Sequence, residues 1–154
     1  MFGFGKKTLK VATPFAGKIV DITAAPDAVF ADKMMGDGFA VVPAEGEDTV
    51  KAPCDAEISV MAETHHAVGL SAAGAEILIH IGVDTVSLNG EGFTALVKEG
   101  DSVKKGTPLI RFDRAAILGK GKDLMTMVVV TNMDNVNLKN KNLQNAEAVL
   151  EIEK

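Results

Sequence analysis

Cysteine is nearly missing from these 154 residues: Cys54 stands alone, so no internal disulfide can form. That suits a reducing compartment. A basic excess is also lacking. Lys and Arg number 16 against 21 Asp and Glu, for a net charge of −5. Phosphate binding needs a basic surface, so nucleic acid is excluded as a partner. No apolar run approaches the ~20 residues that span a bilayer. The opening Met1-Phe-Gly-Phe-Gly-Lys-Lys7 has no apolar stretch after its basic residues, so it does not read as a signal peptide. Together these absences point to the cytoplasm. Sustained helical periodicity is almost absent too.

What is present is the composition of an ordinary globular protein, 47% hydrophobic and 24% charged. Its length fits one domain with a real core. Residues 1–9 are expected to form a flexible N-terminal segment and 10–154 a single domain. Short apolar stretches recur along the chain, at Lys10–Val11, Lys18–Ile22, Phe39–Val42, Val50–Lys51, Glu57–Met61, Ala67–Leu70, Glu76–Val83, Leu109–Phe112 and Met127–Thr131. Turn chemistry separates them, as in Gly36-Asp-Gly38, Ala72-Ala-Gly74, Asn89-Gly90 and Glu99-Gly-Asp101. Evenly spaced short strands predict an all-β sandwich or barrel. One short helix is expected at Asp113–Leu118, capped by Asp113, and another helical turn at Phe93–Val97. The polar, Asn-rich stretch from Asn132 is expected to be a loop before a last strand at Val149–Ile152.

A faint repeat runs through the first half. Val11-Ala-Thr-Pro14-Phe-Ala-Gly17-Lys-Ile19 aligns with Val50-Lys-Ala-Pro53-Cys-Asp-Ala56-Glu-Ile58. Proline cannot donate to a ladder and suits the first position out of a strand. Gly17 suits a turn with positive φ, for which Ala56 is a poorer fit.

The chemistry-bearing residues are histidines. In Gly74-Ala-Glu-Ile-Leu-Ile-His80-Ile-Gly-Val-Asp84-Thr-Val86, alternation turns Ile77, Ile79 and Ile81 one way and Leu78, His80 and Gly82 the other. The Ile face is core, and Gly82 leaves open space beside His80. On a straight strand Asp84 would lie ~13 Å from His80, which makes it part of a charged rim rather than an orienting acid. In Thr64-His65-His66, the two histidines face opposite sides, and Thr64 shares the face of His66. The Ala72-Ala-Gly74 turn brings His66 within cross-strand range of His80. A neutral imidazole offers one unprotonated nitrogen as a nucleophile at cellular pH. An apolar surround disfavours the imidazolium. On residues alone three readings stay open: a satisfied strand histidine, half of a metal site, or a reactive pair.

The text from His66 to Phe93 resembles the enzyme IIA domains (type 1) of the glucose/β-glucoside family of the phosphoenolpyruvate:sugar phosphotransferase system. It does so through His66-Ala-Val-Gly-Leu, Gly74 to Val86, and Leu88-Asn-Gly-Glu-Gly-Phe93. Similarity continues upstream through Val29 to Phe39 and downstream through Val97–Phe112. The resemblance implies an antiparallel β-sandwich built from a duplicated hybrid motif. It implies that His80 accepts a phosphoryl group from the phosphocarrier HPr and passes it to a cysteine of a sugar-specific IIB domain. His66 would contact the phosphoryl group, and Thr64 would orient His66. Asp37 and Asp84 would flank the site as acids for a basic partner. No cofactor is implied, and the membrane is met only through the permease. Regulation by phosphorylation state is a further expectation, since no IIB or IIC part is fused.

Departures from the family pattern touch scaffold positions: Ala56 for Gly, a His66–Gly74 loop one residue short, the additional His65 read as exposed and idle, and Met127 for Pro. Other readings fit less well. A biotinyl or lipoyl carrier is suggested by Val97–Leu109, but Lys122-Asp-Leu-Met125 lacks the hairpin-tip lysine arrangement. A zinc hydrolase needs a His-x-His pair and a further ligand pair, and only three histidines are present. A metal held by His66, His80 and a partner's carboxylate is the remaining metal reading.

Overall fold

Short apolar runs such as Phe39–Val42 and Met127–Val130 are broken by turns rich in Gly, Pro and Asp, and the chain folds along that punctuation. The computed structural model describes residues 8–153. In chain order the elements are β1 (Thr8–Val11), β2 (Gly17–Asp21), α1 (Ala28–Ala31), β3 (Asp37–Pro43), β4 (Thr49–Lys51), β5 (Ala56–Met61) and β6 (Ala67–Ala72). They continue with β7 (Ala75–His80), β8 (Phe93–Ala95), β9 (Ser102–Val103), β10 (Pro108–Phe112), α2 (Arg114–Gly119), β11 (Thr126–Val130), β12 (Asn137–Lys141) and β13 (Leu150–Glu153). Short 3-10 turns occupy Ile22–Ala24 and Thr85–Leu88.

Every strand pairing is antiparallel. A seven-stranded sheet runs β2-β3-β11-β7-β6-β5-β9, and two three-stranded sheets run β1-β13-β12 and β4-β10-β8. One apolar core joins all three, with Phe39, Leu70 and Ile79 of the large sheet meeting Phe112, Ile110 and Leu150 of the small ones. The all-β sandwich expected from the sequence is the fold observed.

Several local expectations change. Of the segment expected to be flexible, residues 1–7 lie outside those described. Thr8 and Leu9, its last two residues up to position 9, are already in β1, because Leu9 pairs with Ile152 and packs on the core. Phe93–Val97 is not a helical turn: Phe93–Ala95 pairs with β10, and Phe93 is buried. The stretch after Asn132 holds the strand β12, whose polar text carries no alternation signal. The one-turn α1 was not anticipated. It is capped by Asp27, whose carboxylate accepts the Val29 N–H at 2.9 Å.

The repeat is a structural one. Ala12 N–H donates to the Pro53 carbonyl, and Lys51 N–H donates to the Pro14 carbonyl, each at 3.0 Å. With Val11 aligned on Val50, these are one bond made twice across a local two-fold relation. Gly17 is needed for a reason other than positive φ, which it does not adopt. A Cβ there would lie 2.0 Å from the Val42 carbonyl oxygen. Its counterpart Ala56 lies opposite Val103 of the two-residue strand β9, where a side chain fits.

Candidate functional site

The site forms where β7 ends. Ile77 and Ile79 are 1% and 0% exposed in the main core. Leu78 and His80 turn to the opposite face, where Ile22, Phe30, Ala40, Met127 and Val129 make a second, smaller cluster. His80 lies directly opposite Met127 of β11 on one side and Ala67 of β6 on the other. Phe30, projected by α1, stacks against it with ring centroids 5.1 Å apart.

His80 stops the strand because the next residues fold back on it. Gly82 takes φ +77, and its carbonyl oxygen lies 3.0 Å from His80 Nδ1. A carbonyl only accepts, so Nδ1 carries the proton and Nε2 keeps its lone pair. A Cβ on Gly82 would lie 2.5 Å from Thr85 Cγ2 and 2.6 Å from the Asp123 carbonyl oxygen. The open space expected beside Gly82 is thus filled, and the glycine is there for the turn. Thr85, fully buried, donates its hydroxyl to the Ile81 carbonyl and locks that turn. The text His-Ile-Gly-Val-Asp-Thr is therefore the recipe for holding one imidazole nitrogen protonated.

His66 precedes β6 and reaches the same place. Its carbonyl accepts the Ile81 N–H at 2.8 Å, which fixes the register beside His80. The two imidazoles meet edge to face, centroids 4.9 Å apart at 82°. Thr64 Oγ1 lies 2.6 Å from His66 Nδ1, and Phe93 backs the ring at 6.5 Å. If the hydroxyl donates, His66 Nε2 carries the proton and becomes a donor. Burial, with the neighbouring His80 adding to it, pushes the His66 pKa down to about 4. Burial also lowers His80, opposed by the Gly82 hydrogen bond and by the charge of Asp27. Both rings are neutral at neutral pH.

The acids are arranged otherwise than the resemblance implied. Asp37 has the strand parity of Phe39 and Val41, which face the main core, whereas His80 shares a face with Ala40 and Met127. Its carboxylate is taken by Lys141 at 2.7 Å, with Lys33 at 3.7 Å. The acid whose charge His80 feels is Asp27, at the head of α1. Pro26-Asp27 before the short apolar run Ala28–Ala31 was the available signal, an N-cap pattern too short to stand out. Asp84 is exposed beside the His80 turn and pairs with Lys122 at 2.8 Å. His65 is half-buried rather than exposed, and it holds the turn: φ is +59, and its N–H donates to the Ala62 carbonyl at 2.8 Å. Met127 is not at a scaffold edge, since it sits fully buried next to His80 in a central strand. Among the described residues, no group of three or more His, Cys, Asp or Glu could hold a metal ion.

Comparison with known proteins bears on this geometry. The model of the phosphoenolpyruvate-dependent sugar phosphotransferase system EIIA 1 family matches residues 9–136. The chain is 50% identical over 131 residues to the PTS system glucose-specific EIIA component of Oceanobacillus iheyensis, covering 84% of this chain and 78% of that protein. It is 46% identical over 138 residues to the corresponding Staphylococcus epidermidis component, covering 87% and 82%. The solved structure of glucose permease IIA from Mycoplasma capricolum superposes with a TM-score of 0.86 at 32% identity, covering 98% and 99%.

Proposed function

This chain belongs to the EIIA 1 family of the phosphoenolpyruvate-dependent sugar phosphotransferase system, and from that membership we propose that it carries a phosphoryl group on His80 Nε2 during uptake of a glucose-type sugar. The observation that carries the assignment is the bond from His80 Nδ1–H to the Gly82 carbonyl at 3.0 Å. It leaves Nε2 as the nucleophilic nitrogen and aligns it before any donor arrives. In the first step the P–N bond of a phosphohistidine on HPr breaks as a P–Nε2 bond forms on His80. In the second, a cysteine thiolate of a IIB domain takes the phosphoryl group, and His80 returns to its neutral form.

His66 assists as a hydrogen-bond donor. With the Thr64 hydroxyl donating to Nδ1, the His66 Nε2–H is free to bind a phosphoryl oxygen on the adjacent ring. Such stabilisation by a donor already in place dominates phosphoryl transfer, where positioning outweighs covalent help. Phe30 and Phe93 flank the pair and keep water from the phosphorylated ring. Asp84, with Asp27 in place of Asp37, gives the site the acidic rim that a basic HPr or IIB surface would meet. A single domain that includes Thr8 and Leu9 with residues 10–154, acting in the cytoplasm, belongs to the same reading, and no helix among the described residues is long and apolar enough to cross a membrane.

The test is the position of the phosphoryl group. After incubation with phosphoenolpyruvate, enzyme I and HPr, 15N NMR of the imidazoles should show phosphorylation at Nε2 of His80. Attachment at Nδ1, or on His66, would overturn the tautomer argument. His66→Gln should still be labelled but should transfer to a IIB domain at least tenfold more slowly. Normal onward transfer would remove His66 from the mechanism.

A further inference from the structure

Asp84 stands in the left-handed region (φ 58°, ψ 28°) at the head of the 3-10 turn Thr85–Leu88, and its carboxylate caps nothing there. Its side chain is 66% exposed, yet the Lys122 ammonium donates to Oδ2 at 2.8 Å. Lys122 is the more enclosed partner, at 23% exposure. Its loop is tied to the His80 turn twice over. Val83 N–H donates to the Asp123 carbonyl at 3.1 Å, and that same carbonyl closes over Gly82. Lys122 N–H in turn donates to the Ile117 carbonyl at 3.2 Å at the end of α2. The lysine is therefore built into the site's frame, while the carboxylate it holds faces outward. Asp27, the other acid of the rim, has no lysine or arginine within ion-pair distance among the described residues.

A basic protein docking on this face thus meets one carboxylate, Asp27, that caps α1 but is paired with no lysine or arginine among the described residues, and one, Asp84, already held by a lysine. We propose that Lys122 is an intramolecular competitor for Asp84, holding the carboxylate until a basic side chain of the protein phosphodonor displaces it, and so setting the rate and salt dependence of docking. This rests on His80 being the phosphoryl acceptor. An exposed ion pair contributes little to stability, so its exchange for an intermolecular pair is easily reversed. Rim charges act chiefly on association rate, and that is where the competition should be read.

The experiment is stopped-flow association with HPr at low and high ionic strength for wild type, Lys122→Met, Lys122→Gln, Asp84→Asn and the Lys122→Met/Asp84→Asn double variant. Lys120→Met serves as a control of equal charge change, since Lys120 pairs with Glu91 instead. Both Lys122 variants should associate about two- to fivefold faster at low salt. The gain should shrink at high salt and vanish when Asp84 is Asn. An unchanged or slower rate, an equal gain in the Asp84→Asn background, or an equal gain from Lys120→Met would each overturn the proposal. Labelling by the small donor phosphoramidate separates the two levels of the argument. Wild type and Lys122→Met should label His80 equally. If wild type is not labelled on His80 by either donor, the acceptor assignment fails, and the competitor role with it. If labelling is normal while association is unchanged, only the role of Lys122 fails.

Discussion

At the scale of the residue, chemistry is set by which imidazole nitrogen carries a proton. His80 is fixed by the Gly82 carbonyl, and His66 is tuned by burial and by Thr64. The His66 pKa of about 4 lies below the unperturbed 6.5, so the folded state disfavours its imidazolium. Between those values the unfolded chain binds more protons than the folded one. The stability contributed by neutral His66 is therefore complete above pH 6.5 and is lost as pH falls towards 4. Ring 15N shifts of His66 should stay those of a neutral imidazole down to pH 5. A midpoint near 6.5 would show that the ring is solvated rather than shielded. The proximity of the two histidines was legible in the sequence, because strand parity and a short turn suffice to bring His66 to His80; their chemistry was implied only by the family resemblance. The flanking acid was not legible. Asp27 and Asp37 lie ten positions apart, each just before an apolar stretch, and only the path of the one-turn α1 decides which of them His80 feels.

At the scale of the element, the turn after β7 is the critical piece. Gly82 combines a left-handed φ with a backbone approach that leaves no room for a Cβ. Gly82→Ala should cost about 1–3 kcal/mol in urea unfolding and should slow His80 labelling severalfold, because the strained turn moves the residue 82 carbonyl away from Nδ1. Wild-type stability together with wild-type labelling would mean that the turn does not set the tautomer. Strands with apolar text between turn signals, such as β7 and β5, could be read from the chain to within a few residues. Those without it could not. Polar β12 is held by pairing with β13, and Phe93–Ala95 is extended because β10 supplies its partner. Tertiary pairing decided both, as it commonly does for short segments. Gly17 carries the same lesson: its lack of a side chain was visible, but its reason is the Val42 carbonyl on a neighbouring strand.

At the scale of the whole molecule, sheet order was beyond the sequence. Among the described residues, only β2-β3, β5-β6-β7 and β12-β13 pair with their neighbours along the chain; β11 enters between β3 and β7, β10 joins β4 to β8, β9 pairs with β5, and β13 joins β1. The repeat hinted at a two-fold arrangement without saying that its copies bond to each other. One contact across sheets has a measurable consequence. Lys141 of β12 bridges Asp21 of β2 and Asp37 of β3, at 2.7 Å each. Burial tends to raise the Asp21 pKa, but hydrogen bonds from Lys141 and Thr23 outweigh it and hold the value at about 2, below the usual 3.8. The stability this lends is present above pH 3.8 and is lost as pH falls towards 2. The urea midpoint of wild type should therefore decline more steeply than that of Asp21→Asn between pH 4 and 2. Parallel curves would count against the bridge.

The central claim concerns His80 and is tested most directly by radiolabel transfer from phosphoenolpyruvate through enzyme I and HPr. Wild-type protein should take up one acid-labile, alkali-stable phosphoryl group, and His80→Ala should take up none while keeping its fold by circular dichroism. If folded His80→Ala labels as well as wild type, His80 is not the acceptor.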